Sequence, residues 1–188
     1  MNKGARGILL VCALMLLGRL EARADDDLWA ALREGNAIAL MRHATAPGTG
    51  DPQGFVLDDC ATQRNLSNEG RAQARAIGER FRARGINQAE VSASRWCRAL
   101  ETAELLGLGE VTPLPALDSF FGARELGPAR SDEVLAFLAG REGDRPLVLV
   151  THQVNVTALT GVFPRSGEVV VARPADDGLE VLGTLPPP

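Results

Sequence analysis

Two apolar runs of strand length end in the same way. Residues 37–41, Ala-Ile-Ala-Leu-Met, run into Arg42-His43, and residues 147–150, Leu-Val-Leu-Val, run into Thr151-His152. Short unbroken apolar runs bounded by turn residues are the pattern of strands buried on both faces, which is how parallel strands lie in layered α/β folds. The chain contains two histidines, and each follows one of these runs. Open α/β sheets bind ligands beyond the carboxyl ends of their strands. A satisfied structural histidine is the plainer reading of either one alone; the repetition favours a shared functional site. A pair of histidines could also be half of a metal site, but no HExxH, CxxC or carboxylate-rich spacing accompanies them, so no metal is expected.

The same rhythm continues around the two strands. Residues 27–33 read as a short opening helix. Ser67 can cap a helix reaching about Arg84, with Ala72, Ala76, Ile77 and Phe81 at helical spacing and Gly85 at its end. Residues 90–94 read as a strand, 97–106 as a helix, and 111–117 as an extended segment broken by Pro113 and Pro115. A helix over 132–138 precedes the second apolar strand, and another follows it to about Leu159. Residues 168–173 and 179–185 flank Pro174-Ala175-Asp176-Asp177-Gly178, which predicts a closing hairpin. This alternation predicts an α/β three-layer sandwich, a largely parallel central sheet with helices on both faces.

The first 24 residues stand apart from that core. Lys3 and Arg6 precede an apolar run from Ile8 to Leu17, and Ala22-Arg23-Ala24 places small residues where a signal peptidase reads. The run is too short to cross a bilayer core, which needs about 20 apolar residues. A cleaved signal peptide over 1–24, a single domain over 25–188, no stable membrane anchor and a periplasmic or secreted location are therefore expected. Cleavage removes Lys3, Arg6, Arg19, Arg23 and Glu21, so 20 basic and 24 acidic residues become 16 and 23, a formal charge of −7. So acidic a chain is a poor partner for nucleic acid, which is held by basic patches. Any anion it binds must meet a local cluster of cations. Cys12 leaves with the leader, and Cys60 and Cys97 remain in a compartment where disulfides persist. A Cys60–Cys97 bond is expected, with two unrelated buried thiols as the alternative.

Arginine narrows the chemistry. In Ser92-Ala-Ser-Arg-Trp-Cys-Arg98-Ala-Leu-Glu-Thr-Ala103, Arg98 lies in the first turn of a predicted helix, where the dipole disfavours a cation. A bound phosphate would reverse that preference, because helix amino termini and arginine forks both favour phosphate oxygens. A solvated surface arginine is the alternative for this residue alone.

Taken together these segments resemble the histidine phosphatase superfamily, the phosphoglycerate mutase-like proteins. The opening Arg-His-Gly of that family is matched by Arg42-His43-Ala44, with alanine in place of the glycine. Its Leu-Ser/Thr-x-x-Gly-x-x-Gln-Ala segment is matched from Leu66 to Ala74, and its Ser-x-x-x-Arg-Ala-x-x-Thr-Ala from Ser94 to Ala103, which puts the second arginine at Arg98. The late strand ending in Gly-His or Ser-His corresponds to Thr151-His152. The resemblance implies a phosphomonoesterase acting through a phosphohistidine on His43, with Arg42, Arg98 and His152 around the transferring group and no metal or organic cofactor. It places the proton donor near Asp118, with Glu125 a little beyond; the alternative for Asp118 is a turn or cap.

In the loop after His43, Thr49, Arg64 and Asn65 are candidates for substrate contact, Arg64 first among them. After His152, Gln153 and Asn155 are read as helix caps before phosphate contacts. Among short exported members the resemblance is to lipopolysaccharide core heptose phosphate phosphatases, so the expected partner is a phosphorylated small molecule or envelope glycan, a sugar phosphate included. A phosphate- or phosphosugar-binding module with little turnover is the alternative from another class, and a metal-binding envelope protein a third.

Overall fold

The computed structural model describes residues 23–188. The expected leader lies outside the described residues apart from Arg23 and Ala24, which are helical.

Six strands form one sheet in the order β3-β2-β4-β1-β5-β6. The two histidine-bearing runs are its centre. β1 (Ile38–Arg42) and β4 (Leu147–Thr151) pair in parallel with Met41 opposite Val150 and Arg42 opposite Thr151. β2 (Glu90–Ala93) and β3 (Val111–Pro113) continue the parallel set on the β4 side. β5 (Val169–Ala175) and β6 (Gly178–Leu185) run antiparallel on the β1 side and close the sheet as the expected hairpin. β1 alternates between two cores, as a strand buried on both faces must. Ala39 and Met41 pack with Trp29, Ile77, Phe81, Ala99 and Leu106 on one face. Ile38 and Leu40 pack with Leu117, Val134, Leu138 and Val156 on the other. The helices that supply these side chains are α1 (23–33), α2 (Asn68–Ala83) and α3 (Cys97–Leu106) on the first face, and α4 (Gly127–Ala139) and α5 (Gln153–Thr160) on the second, where a 3₁₀ turn adds Leu117. The three layers are those expected.

Helix α2 explains the Leu66 to Ala74 segment residue by residue. Ser67 Oγ accepts from the Gly70 N–H at 3.0 Å, capping the helix. Gly70 lets the helix lie against the loop beyond β1: a Cβ there would fall 2.0 Å from the Thr45 carbonyl oxygen. Gln73 Oε1 accepts from the Thr45 N–H at 3.0 Å, and its amide donates to the Ser166 carbonyl at 3.2 Å. Leu66 and Ala74 pack with Ala44 and Ala46. The segment therefore anchors the loop that carries His43.

Two of the boundaries that differ from expectation are explained by proline. Helix α4 begins at Gly127, not Asp132, because Pro128 sits in its first turn, where its missing N–H costs no intrahelical bond. The segment over 111–117 divides into the three-residue edge strand β3 and a 3₁₀ turn, Pro115–Leu117. Proline is tolerated at a sheet edge, where no ladder bond is lost.

Candidate active site

The β1–β4 register sets the floor of the site. Because Arg42 and Thr151 are opposite one another, the next residues, His43 and His152, leave the sheet side by side, and the His43 N–H donates to the Thr151 carbonyl at 2.8 Å. Their rings stand edge to face with centroids 5.4 Å apart, both buried. His43 Nδ1–H donates to the Ala44 carbonyl at 2.7 Å, which assigns the proton to Nδ1 and leaves the Nε2 lone pair outward. Nε2 accepts from Arg98 Nε at 3.2 Å. Burial, and then the charge of Arg98, push the His43 pKa down to about 3, with Arg42 and Arg64 adding to the effect against the Ala44 bond. The ring is therefore a neutral imidazole at any ordinary pH.

A cavity of about 260 Å³ opens over this histidine. Arg42, Arg64 and Arg98 line it, with Asp51 as the lining carboxylate, a formal excess of two positive charges in a chain that is acidic overall. Arg42 reaches the Pro164 carbonyl at 3.0 Å through one nitrogen, while its Nε is buried without a hydrogen-bond partner among the described residues. Arg64 is held by the Gly50 carbonyl at 2.7 Å and by the Ala46 carbonyl. Burial and the neighbouring guanidinium of Arg98 lower the pKa of both Arg42 and Arg64. Crowded cations of this kind are favoured by an anion with two charges and several acceptor oxygens.

Behind the floor runs a chain of hydrogen bonds. His152 Nδ1 accepts from Arg98 at 3.4 Å, and its Nε2–H donates to Ser94 Oγ at 2.8 Å. Ser94 Oγ donates in turn to Asp118 Oδ1 at 3.4 Å. Burial, then the charges of His43, Arg98, Arg64 and Arg42, hold the His152 pKa well below its ordinary value. Asp118 is buried; Arg95 forks onto its Oδ2 at 2.8 and 2.5 Å, and the Arg95 N–H donates to Oδ1 at 2.9 Å. It is not among the residues lining the His43 cavity.

The disulfide forms between Cys60 and Cys97, with their Cα atoms 5.7 Å apart. It fastens the long loop to the first residue of α3, one position before Arg98.

Of the sequence-chosen residues, the structure brings His43, Arg42, Arg98, His152, Arg64 and Thr49 to one cavity. Asn65 is not part of that lining: its amide donates to the Cys60 carbonyl at 2.6 Å and shapes the disulfide loop. Glu125 lies on an exposed 3₁₀ turn, Arg124–Leu126. Neither Gln153 nor Asn155 caps α5. Gln153 lines the cavity and donates to Thr157 Oγ1 at 2.8 Å, and Asn155 donates to the Asp118 carbonyl at 2.9 Å.

Sequence reasoning missed Asp51. Its carboxylate takes Arg98 in a two-point bridge, 2.6 Å to one oxygen and 3.1 Å to the other, and accepts from Trp96 Nε1 at 3.0 Å. Burial alone would raise its pKa, but the Arg98 and Trp96 bonds outweigh that and hold it below the usual carboxylate range. An aspartate in a Gly/Thr/Pro loop reads as a turn former, so no local pattern marks it. The unused partner of a buried arginine was the available signal.

A strand-end imidazole beneath clustered guanidinium groups is suited to phosphoryl transfer, and the family comparison points to the same chemistry. Residues 38–125 match the family model of the histidine phosphatase superfamily (branch 1). The match covers a little under half of the chain and supports the histidine phosphatase superfamily and, by class, a phosphomonoester hydrolase. Comparison with curated proteins gives no match. Among solved structures, the protein histidine phosphatase SixA complexed with tungstate is similar at 17% identity and a TM-score of 0.56, over 80% of this chain and 97% of its own. Phosphoserine phosphatase from Entamoeba histolytica, in complex with 3-phosphoglyceric acid, is similar at 14% and 0.61, over 79% and 95%. A mycobacterial glucosyl-3-phosphoglycerate phosphatase is similar at 20% and 0.51, over 72% and 89%. At these identities the likeness is one of fold.

Proposed function

We propose that the chain is an exported phosphomonoesterase that passes the phosphoryl group of a small or envelope-linked substrate, a sugar phosphate in particular, through His43 to water. The observation that carries this reading is the tautomer of His43: Nδ1–H is committed to the Ala44 carbonyl, and the Nε2 lone pair faces a cavity lined by three guanidinium groups. In-line attack by Nε2 on phosphorus expels the alcohol and leaves a phosphohistidine. Arg42, Arg64 and Arg98 surround the equatorial oxygens and offset their charge, with His152 holding Arg98 in place. Attack by water on the phosphohistidine then restores the imidazole and releases phosphate.

Export is supported by the leader-like residues 1–24 and by the Cys60–Cys97 bond, which suits an oxidising compartment. A ring-bearing alcohol is supported by the mouth of the cavity. Phe121 and Phe163 line it and are 42% and 73% exposed, flat apolar surfaces against which a sugar ring can lie. The test is hydrolysis of p-nitrophenyl phosphate by residues 25–188 against a His43→Ala control. Turnover that vanishes in the control supports the reading; a folded protein that binds phosphate without turning the ester over would make it a binding module.

A further inference from the structure

We propose that Asp51 is the general acid that protonates the leaving alcohol, an assignment that rests on the phosphomonoesterase reading above. A second cavity, of about 620 Å³, adjoins the first and is walled by Phe55, Trp96, Phe121 and Leu126. The two cavities share Gly50, Asp51, Ser119 and Phe121. With phosphate over His43 and the alcohol in the larger aromatic-walled space, the scissile oxygen lies at that shared boundary. Asp51 is the carboxyl group there. Asp118 lines only the second cavity, and both its oxygens are engaged by Arg95 and Ser94.

The Asp51–Arg98 bridge gives the acid a trigger. In the free protein the carboxylate occupies two N–H groups of the arginine that also contacts both histidines. A phosphate dianion, with more charge and more oxygens, displaces it from Arg98. Asp51 keeps the Trp96 N–H as its pivot and, now beside a like charge, takes a proton from water. As the Nε2–P bond forms and the ester P–O bond breaks, that proton passes to the leaving oxygen and a neutral alcohol departs. The resulting carboxylate accepts a proton from the attacking water as the new P–O bond forms and the N–P bond breaks, returning the electron pair to His43. Departure of phosphate lets Asp51 release the proton and bridge Arg98 again. No proton is gained or lost over the cycle.

The test is a series of ring-substituted phenyl phosphates graded by leaving-group basicity, turned over by the wild-type protein, Asp51→Asn and Asp118→Asn. Asp51→Asn should lower kcat/KM for phenyl phosphate, which reports only the steps up to transfer onto His43, by roughly 10²-fold or more, the contribution expected of a positioned acid. The loss for p-nitrophenyl phosphate should be much smaller, because its leaving group needs little protonation. The basic limb of the wild-type kcat profile with phenyl phosphate should disappear in the same variant. Asp118→Asn should lower both substrates by one factor. Asp51→Ala gives the same readout should the amide variant not fold. An unchanged ratio between the two esters in the Asp51 variants, or a changed ratio in Asp118→Asn alone, would overturn the assignment while leaving the phosphomonoesterase reading intact. Absence of His43-dependent turnover of p-nitrophenyl phosphate in the wild-type protein would overturn both.

Discussion

The ends of β1 and β4 are near copies of each other in sequence and neighbours in space, yet their histidines are wired oppositely. His43 gives its Nδ1 proton to the next carbonyl along its own chain and turns Nε2 to the cavity. His152 ties Nε2 to Ser94 and turns Nδ1 toward Arg98. In the first ring one nitrogen is fixed by backbone and the other faces the cavity; in the second both nitrogens serve the surroundings. Under the proposed function, equivalent positions on adjacent parallel strands divide into a nucleophile and a support, and the division lies in the hydrogen bonds rather than in the strand pattern.

The sharpest way to break the comparison is to remove each ring. His43→Ala should lower kcat by at least about 10⁴-fold, since no other group can form the covalent intermediate. His152→Ala should cost less, roughly 10²- to 10³-fold, the range for an impaired transition-state donor, because Arg98 loses the ring that positions it. Equal losses would mean that the two histidines act as one unit. The disulfide tests what holds Arg98 above them. Replacing Cys60 and Cys97 together by serine removes a constraint across a sequence separation of 37. It should cost about 4 kcal/mol of stability by loop-closure entropy, read by urea unfolding, and should raise KM for phosphate esters as Arg98 loses its tether. Unchanged turnover in the folded double variant would sever the disulfide from the site.

Gly70→Ala probes the loop that carries His43. Its methyl would meet the Thr45 carbonyl, and a cost of about 1–3 kcal/mol follows from forced backbone movement. Thermal unfolding reads it, and a cost near zero would show that α2 does not fix the loop. The smallest effect is in pH. The His43 ring takes a proton at about pH 3 when folded, against 6.5 for the ordinary side chain. Between those values the unfolded chain binds more protons, so stability falls as pH falls through that window. His152 acts in the same direction. The urea midpoint of the wild-type protein should therefore drop between about pH 7 and about pH 5 by more than that of His43→Ala. A matching drop in both proteins would remove His43 as a source of the pH dependence.

The strand ends show why part of this molecule could be read from its sequence. Unbroken apolar runs report burial on both faces, so β1, β4 and the placement of both histidines followed directly. Ser67, Gly70 and Gln73 were legible as a motif, though their common purpose, holding Thr45, needs the third dimension. Arg98 stood out because it sits where a helix dipole disfavours it. Asp51 did not, because its significance is a contact 47 residues away in sequence. Asp118 stands at the sequence position the family resemblance implied for the acid, but Arg95 and Ser94 engage it behind His152. Side-chain pairing across loops leaves no periodic trace, and it is this pairing that sets the surroundings of the two carboxylates.

The most direct test of His43 as nucleophile is to quench the wild-type protein during turnover of a phosphate ester and identify the phosphorylated atom. An acid-labile phosphate on His43, resolved by phosphorus–nitrogen NMR as the Nε2 isomer and absent from His43→Ala, is the expected result. Phosphate on Nδ1, on His152 or on no histidine at all, in a protein that still hydrolyses the ester, would contradict it.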